Sequence, residues 1–263
     1  MTTPRRTFIF GALSGASTAA LASRYFNARR PGPPAPEAPP EQRYGQTSFA
    51  QQGEDLVIEG ILRHLKVEKP TYIDIGAGDP ISCNNTYKFY RQYGRGVLVE
   101  PNPKLVALLR EVRPNDTVLE AGIGISEQKE ADYYTFKDRD PLNTFSKEQA
   151  DRVLARYGAE TLDKVIKRRL LNVNDVIDEH FKDGGPQVFS IDIEGLDGAV
   201  LQTLNFEKHR PAVVCAETME LGTGALEEEI LTFMASKNYQ VRGGSFVNTI
   251  WVDAKKIAAP RKG

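Results

Sequence analysis

The sequence predicts an α/β domain built on a largely parallel sheet, and three observations carry that expectation. Short apolar runs alternate with amphipathic helical patterns from Tyr44 onward, an order that calls for parallel strands covered on both faces. The first clear strand, "TYIDIGA", runs into a glycine-rich turn at Gly76 and Gly78. Glycine lets a backbone bend sharply and approach a ligand, and in open α/β sheets ligands lie at the carboxyl ends of strands. Finally, "YQVRG" and "FVNTIWVD" follow one another around Gly243-Gly244 with no helix between them, which predicts an antiparallel edge.

The elements follow in order. "QQGEDLVIEGILRHL" carries Leu56, Ile61, Leu62 and Leu65 near helical spacing and reads as an amphipathic helix. "TYIDIGA" is a buried strand, "NNTYKFYRQY" a short aromatic helix, and "GVLVEP" a second strand stopped by Pro101. "PKLVALLREV" is a helix and "DTVLEAGIG" a third strand with its loop. "SKEQADRVLARYGAETLDKVIKRRL" is long and polar and is expected to be helical, with "KVIKRRL", Lys164 to Leu170, as a basic, solvated helical face. "VNDVIDEHF" is a helix, "QVFSIDIEG" a fourth strand, "DGAVLQTL" a helix, "PAVVCAE" a fifth strand, and "LEEEILTFMASK" a helix before the closing strand pair.

Composition narrows the function classes. The chain has 263 residues, 40% hydrophobic and 26% charged, with a formal net charge of −1, an ordinary globular balance. Residues 1–43 carry six arginines and two glutamates, so the rest is mildly acidic, which argues against nucleic acid as partner. Cys83 and Cys215 sit in no metal-binding spacing. "TPRRTFIFGALSGASTAALASRY" has two arginines, a short apolar stretch and an A-x-A-like end, the pattern of a twin-arginine export signal or an anchor over residues 1–23. The stretch from Arg30 to Arg43 holds six prolines, so residues 24–43 read as a linker. The folded domain is expected over 44–258, with a tail at 259–263. The expected location is a cytoplasmic domain tethered to the membrane by its N-terminus, or alternatively an exported one.

The glycine turn has its own chemistry. A dinucleotide fingerprint, G-x-G-x-x-G, would place a third glycine where Ile81 stands. Asp74 at the strand end and Asp79 in the turn are poor neighbours for pyrophosphate and suit a cationic, amine-bearing ligand. S-adenosylmethionine carries a sulfonium and an ammonium and no phosphate. Glu100, 22 residues after Gly78, stands where an acid accepts hydrogen bonds from both ribose hydroxyls. A nicotinamide-dependent oxidoreductase is disfavoured by Asp79 and by the missing glycine.

At this point four motifs, in order, resemble the FkbM family of S-adenosylmethionine-dependent methyltransferases. They are "SFAQQGEDLVI", "YIDIGAGDPISCNNTYKFYRQYGRGVLVEPNP", "FSIDIEGLDGAVL" and "VNTIWV", and the resemblance covers roughly Ser48 to Asp253. It implies a class I methyltransferase, Rossmann-like sheet of seven strands, mostly parallel with the last antiparallel. By motif, Asp74, Gly76, Gly78 and Asp79 would cradle the donor's methionine end and Glu100 its ribose. The turn from Glu120 to Gly124, with Gly122, would lie against the adenine.

"SIDIEGLDG" puts Asp192, Glu194 and Asp197 at the end of the fourth strand, beside the glycine turn. Asp192 and Glu194 share a face if the strand persists, and one of them is expected to accept the proton of a nucleophilic hydroxyl. Positioning the donor's amine is the competing role. None of His64, His180 and His209 falls in a motif. No metal is assigned; magnesium held by Asp192, Glu194 and Glu217 is the secondary reading, since oxygen ligands suit it. Asn143 and Thr144, in the polar segment Lys137 to Arg152, and Asp197 are assigned to substrate contact. Tyr87 and Tyr90, three apart on one helix, are expected in the core. The expected activity is O-methylation of a sugar or small-molecule hydroxyl, with a non-catalytic donor-binding domain as the alternative.

Overall fold

The computed structural model describes residues 44–258 except 93, 183–184 and 220–222. The signal-like segment and proline-rich linker expected at 1–43, and the tail at 259–263, lie outside the described residues. One compact unit begins at Gln46.

The central sheet contains β1 (Thr71–Ile75), β2 (Arg95–Glu100), β3 (Thr117–Glu120), β7 (Val188–Ile191), β8 (Val213–Glu217), β9 (Tyr239–Gly244) and β10 (Asn248–Asp253). Their order is β3-β2-β1-β7-β8-β10-β9. β1, β2, β3, β7 and β8 pair in parallel, and β10 runs antiparallel to both of its neighbours. This is the seven-stranded, mostly parallel sheet with an antiparallel last strand that the sequence leads one to expect. The chain leaves β1 toward β2 on one side and returns to β7 on the other, so the strand order switches between β1 and β7. That is where an open α/β sheet forms its crevice.

Side chains alternate across the strands, so two apolar layers form. Ile73, Ile75, Val97, Val99, Phe189, Ile191, Val214, Ala216 and Trp251 lie on one face under α5 (Val173–His180), α6 (Asp197–Thr203) and α7 (Glu228–Ser236). Tyr72, Leu98, Val188, Val213, Cys215 and Ile250 lie on the other, under α1 (Glu54–His64), α2 (Tyr87–Arg91) and α3 (Pro103–Val112). The strands are apolar on both faces because both are covered. Among the described residues no helix is long and apolar enough to cross a membrane.

The insertion between β3 and β7 departs from expectation. The run from Ser146 to Leu170 is not one helix. The helix α4 (Lys147–Tyr157) is capped by the Ser146 side chain and ends at Gly158, whose φ is +94°, a conformation that favours glycine. The basic run "KVIKRRL" then falls inside a strand, β6 (Leu162–Leu171), with Lys167 and Arg169 exposed between half-buried Ile166, Arg168 and Leu170. That alternation has period two, so no apolar helical stripe exists to bury. β6 pairs antiparallel with β5 (Glu130–Phe136) and parallel with β4 (Gly122–Ile123), making a small second sheet. The signal for β5 was the run Tyr133-Tyr134-Thr135-Phe136, rich in strand-favouring side chains. Tyr87 and Tyr90 stack at 6.1 Å between ring centroids, Phe49 meets Tyr87 edge-on at 4.9 Å, and the Arg113 guanidinium lies over Tyr90.

Candidate active site

The glycine turn and the end of β7 are packed against each other at the switch point. Gly76 has φ +80°, and a Cβ there would collide with the Asp192 carbonyl. Its amide donates to the Val99 carbonyl at 2.9 Å, and the Asp192 amide donates to Ile75 at 3.0 Å. Gly78 donates its amide to Glu100 Oε2 at 3.0 Å, and the Asn102 amide donates to Oε1 at 2.8 Å. Glu100 therefore clamps the turn to the end of β2. Burial pushes its pKa up to about 7, in spite of those two amide donors.

The other two turn acids make separate hydrogen bonds within the protein. Asp74 is buried and accepts a hydrogen bond from Thr86 Oγ1 at 2.7 Å. Arg113, fully buried, donates to Asn84 Oδ1 and Thr86 Oγ1 and pairs with Asp116 at 2.8 Å. Burial raises the Asp74 pKa, and Arg113 opposes it. Asp79 is exposed and its Oδ1 takes the amides of Ile81 and Ser82. Short acidic side chains commonly close turns in this way. Asp74 thus anchors a buried network, and Asp79 shapes the loop.

A segment of the insertion lies beside the glycine turn. Asn143 accepts the Phe136 amide, and Thr144 Oγ1 donates to the Glu194 carbonyl at 2.9 Å. Both side chains are buried and hydrogen-bonded within the protein, at the edge of the cleft beside the glycine turn. Phe145, unremarked in the sequence, lies against Gly122, where any Cβ would strike its ring, and tilts onto Tyr133 at 4.7 Å. Together with Gly76, Pro101, Ile123 and Ile193 they wall a cleft of only about 30 Å³.

On the other side lies a carboxylate cluster. The strand β7 stops at Ile191, so Asp192 and Glu194 are not successive outward residues of one strand. Glu194 turns instead through φ +57°, followed by Gly195 at +94°. A glutamate in this region is strained by roughly 1–2 kcal/mol, and such strain clusters at functional sites. It brings carboxylate oxygens of Asp192, Glu194 and Glu217 within 4.8 Å of one another. Burial raises all three pKas, helped by Asp74 and Glu54 at Asp192, by Asp192 at Glu194, and by Asp192 and Glu194 at Glu217; Gln149 Nε2, donating to Glu194 at 3.3 Å, works against this at Glu194. Asp197 is buried at the start of α6, where Oδ1 accepts the Ile193 amide at 3.3 Å, and burial raises its pKa well up. A cleft of about 190 Å³ opens beside the cluster, lined by Ser146, Gln149, Gly195, Asp197 and Glu217 among others.

Two residues of this site escaped notice. Glu54, at the start of α1, accepts from Asn248 Nδ2 at 2.9 Å across 194 positions of sequence. Burial alone would raise the Glu54 pKa, but hydrogen bonds from Ser245, Asn248 and the Gln52 amide hold it below the ordinary value. Both residues sat in quoted motifs, "SFAQQGEDLVI" and "VNTIWV"; only the fold shows that these motifs meet. Asp55 ties the first one down, taking Ser48 Oγ and the Phe49 amide. The three histidines stay in α1, at the end of α5 and in the loop before β8.

Sheet order and the turn-plus-acid arrangement at the ends of β1 and β2 define a Rossmann-like protein of the class I methyltransferase type. The sequence model of the methyltransferase FkbM domain matches residues 74–241. That is more than half of the chain, which therefore belongs to this family. No curated protein sequence is significantly similar to it. Similar solved structures include a TehB-like SAM-dependent methyltransferase from Corynebacterium glutamicum, at 8% identity and TM-score 0.41 over 89% of this chain and 97% of that one. A methyltransferase from Geobacter sulfurreducens gives 11% and 0.42 over 89% and 96%. An O-methyltransferase from Bacillus cereus, in complex with SAH, gives 10% and 0.38 over 89% and 87%. Likenesses this distant carry no argument about what this chain binds or modifies.

Proposed function

We propose that this protein transfers a methyl group from S-adenosylmethionine to a hydroxyl of a sugar or other small molecule. The observation that carries the reading is the contact of Gly76 with the Asp192 backbone, which sets a glycine turn directly against a cluster of carboxylates. The donor set fits the methyl donor. The turn lets backbone approach, and Glu100 retains lone pairs for ribose hydroxyls beyond those used by Gly78 and Asn102. The free volume beside the turn does not fit a nucleoside until Phe145 and its segment swing aside.

The donor supplies an activated sulfonium methyl, so the chain's own residues have three tasks. The turn and Glu100 hold the donor. The segment around Thr144 and Phe145 covers it and excludes water. Asp192 or Glu194 takes the acceptor's proton; burial raises the pKa of each, which suits that task better than the pKa of a solvated carboxylate. Alignment of two bound reactants can supply about 7–11 kcal/mol of the barrier, so a weak base suffices.

The test is labelled methyl transfer from S-adenosylmethionine into fractionated extract of a deletion strain, run beside S-adenosylhomocysteine binding. Asp192→Ala is expected to abolish transfer and leave S-adenosylhomocysteine binding within a few-fold. No detectable S-adenosylhomocysteine binding by the unmodified protein would sink the reading. Equal loss of both functions would move Asp192 to the donor side.

A further inference from the structure

The cluster holds more carboxylates than proton transfer needs. Asp192, Glu194 and Glu217 converge within 4.8 Å. Arg152, which shares the adjoining cleft with Glu217, pairs with Glu148 at 2.9 Å. The second observation comes from β10. Asn248 is 3% exposed and its Oδ1 has no hydrogen-bond partner. Asn248 stands directly opposite Glu217 in the β8–β10 ladder, and the next pair along is joined by the Thr218 amide to the Val247 carbonyl. Asn248 and Glu217 are thus a non-hydrogen-bonded pair, the kind whose side chains lie closest and on one face. Asp192, one past Ile191, falls on that same face, because Ile191 pairs with Ala216 and packs on the opposite one. The Nδ2 of Asn248 is taken by Glu54, which orients the amide and leaves its oxygen without a donor.

We propose that Asp192, Glu194, Glu217 and the side-chain oxygen of Asn248 form a binding site for a hard divalent cation of the Mg²⁺ or Mn²⁺ kind. All four donors are oxygens, which such ions require. Four protein ligands leave two positions of an octahedral shell for water or for the acceptor's oxygen, and the 190 Å³ cleft beside Glu217 provides the approach. An acceptor hydroxyl on the ion would lose its proton more readily; that consequence rests on the transferase reading, whereas ion binding does not. The rival way to neutralise the cluster is a proton on Glu217 donated to Asn248 Oδ1.

Mn²⁺ titration of the full chain at neutral pH, followed by electron paramagnetic resonance, tests the site. One ion per chain is expected, displaced by Mg²⁺. Glu217→Gln and Asp192→Asn should each weaken it at least about tenfold, and Asn248→Ala by about tenfold. Circular dichroism and S-adenosylhomocysteine binding on the same samples report folding and the donor side. No saturable Mn²⁺ binding up to about 1 mM, the weak end for oxygen sites, overturns the proposal. So does Mn²⁺ binding unchanged in folded Glu217→Gln and Asp192→Asn. Donor binding without Mn²⁺ overturns the ion site and spares the transferase; Mn²⁺ binding without donor binding does the reverse.

Discussion

The two halves of the crevice are built from different materials. At the ends of β1 and β2, the work is done by backbone: two left-handed glycines, amides aimed at neighbouring carbonyls, and one carboxylate, Glu100, that clamps the turn. At the ends of β7, β8 and β10, the work is done by side chains, with carboxylates and an amide gathered from positions 54, 192, 194, 217 and 248. The first half is local in sequence and the second is not. A turn made of backbone should fail when a single methyl group is added. A cluster made of side chains should titrate.

Gly76→Ala is the largest test of this contrast, because Gly76 belongs to both halves. The new Cβ must sit at positive φ and meet the Asp192 carbonyl. Strain of about 1–2 kcal/mol and overpacking of about 1–3 kcal/mol add to a loss of about 2–5 kcal/mol by urea unfolding, with donor binding lost as well. A variant with unchanged stability and unchanged S-adenosylhomocysteine affinity would show that the two halves are not in contact.

The same contrast explains what could be read from the chain alone. The individual strands, the glycine turn and the place of Glu100 were legible because each is written in a local run: strand, turn, strand, acid. Asp74 and Asp79 were legible as turn acids but not in their partners, Thr86 beside Arg113 for one and local amides for the other. Glu54 and Asn248 were visible only as parts of motifs, since nothing local brings together residues 194 positions apart. Lys164 to Leu170 misled because its charges suggest a solvated helix, while its period-two alternation, easily missed in a basic run, makes it a strand.

Glu100 gives the next test, of middle size. Its folded pKa of about 7 stands above the ordinary 4.5, so the folded chain holds this proton more tightly than the unfolded one. Its stabilising contribution is fully present below about pH 4.5. It is lost as pH rises toward 7, by up to about 3 kcal/mol at 1.36 kcal/mol per unit. Donor binding runs the other way, since ribose hydroxyls need the ionised acceptor. S-adenosylhomocysteine affinity should rise about tenfold from about pH 6 to 8 and flatten above. Glu100→Gln should bind more weakly and lose this slope, as isothermal titration at several pH values would show. A slope retained in Glu100→Gln would assign the proton to another group.

Phe145 gives the smallest effect and the sharpest question about the donor half. Its ring fills the space over Gly122 and pairs with Tyr133, an aromatic contact worth about 0.5–1.5 kcal/mol. Truncation in Phe145→Ala should therefore lower stability by about 1–2 kcal/mol. If the ring occupies the donor's place, removing it also removes the cost of displacing it. S-adenosylhomocysteine should then bind at least as tightly as to the unmodified chain, and associate faster in stopped flow. A tenfold loss of affinity would instead make Phe145 a wall on which the donor stacks. The narrow cleft of about 30 Å³ would then widen by movement of another part of the 139–146 segment, with the ring travelling as part of it.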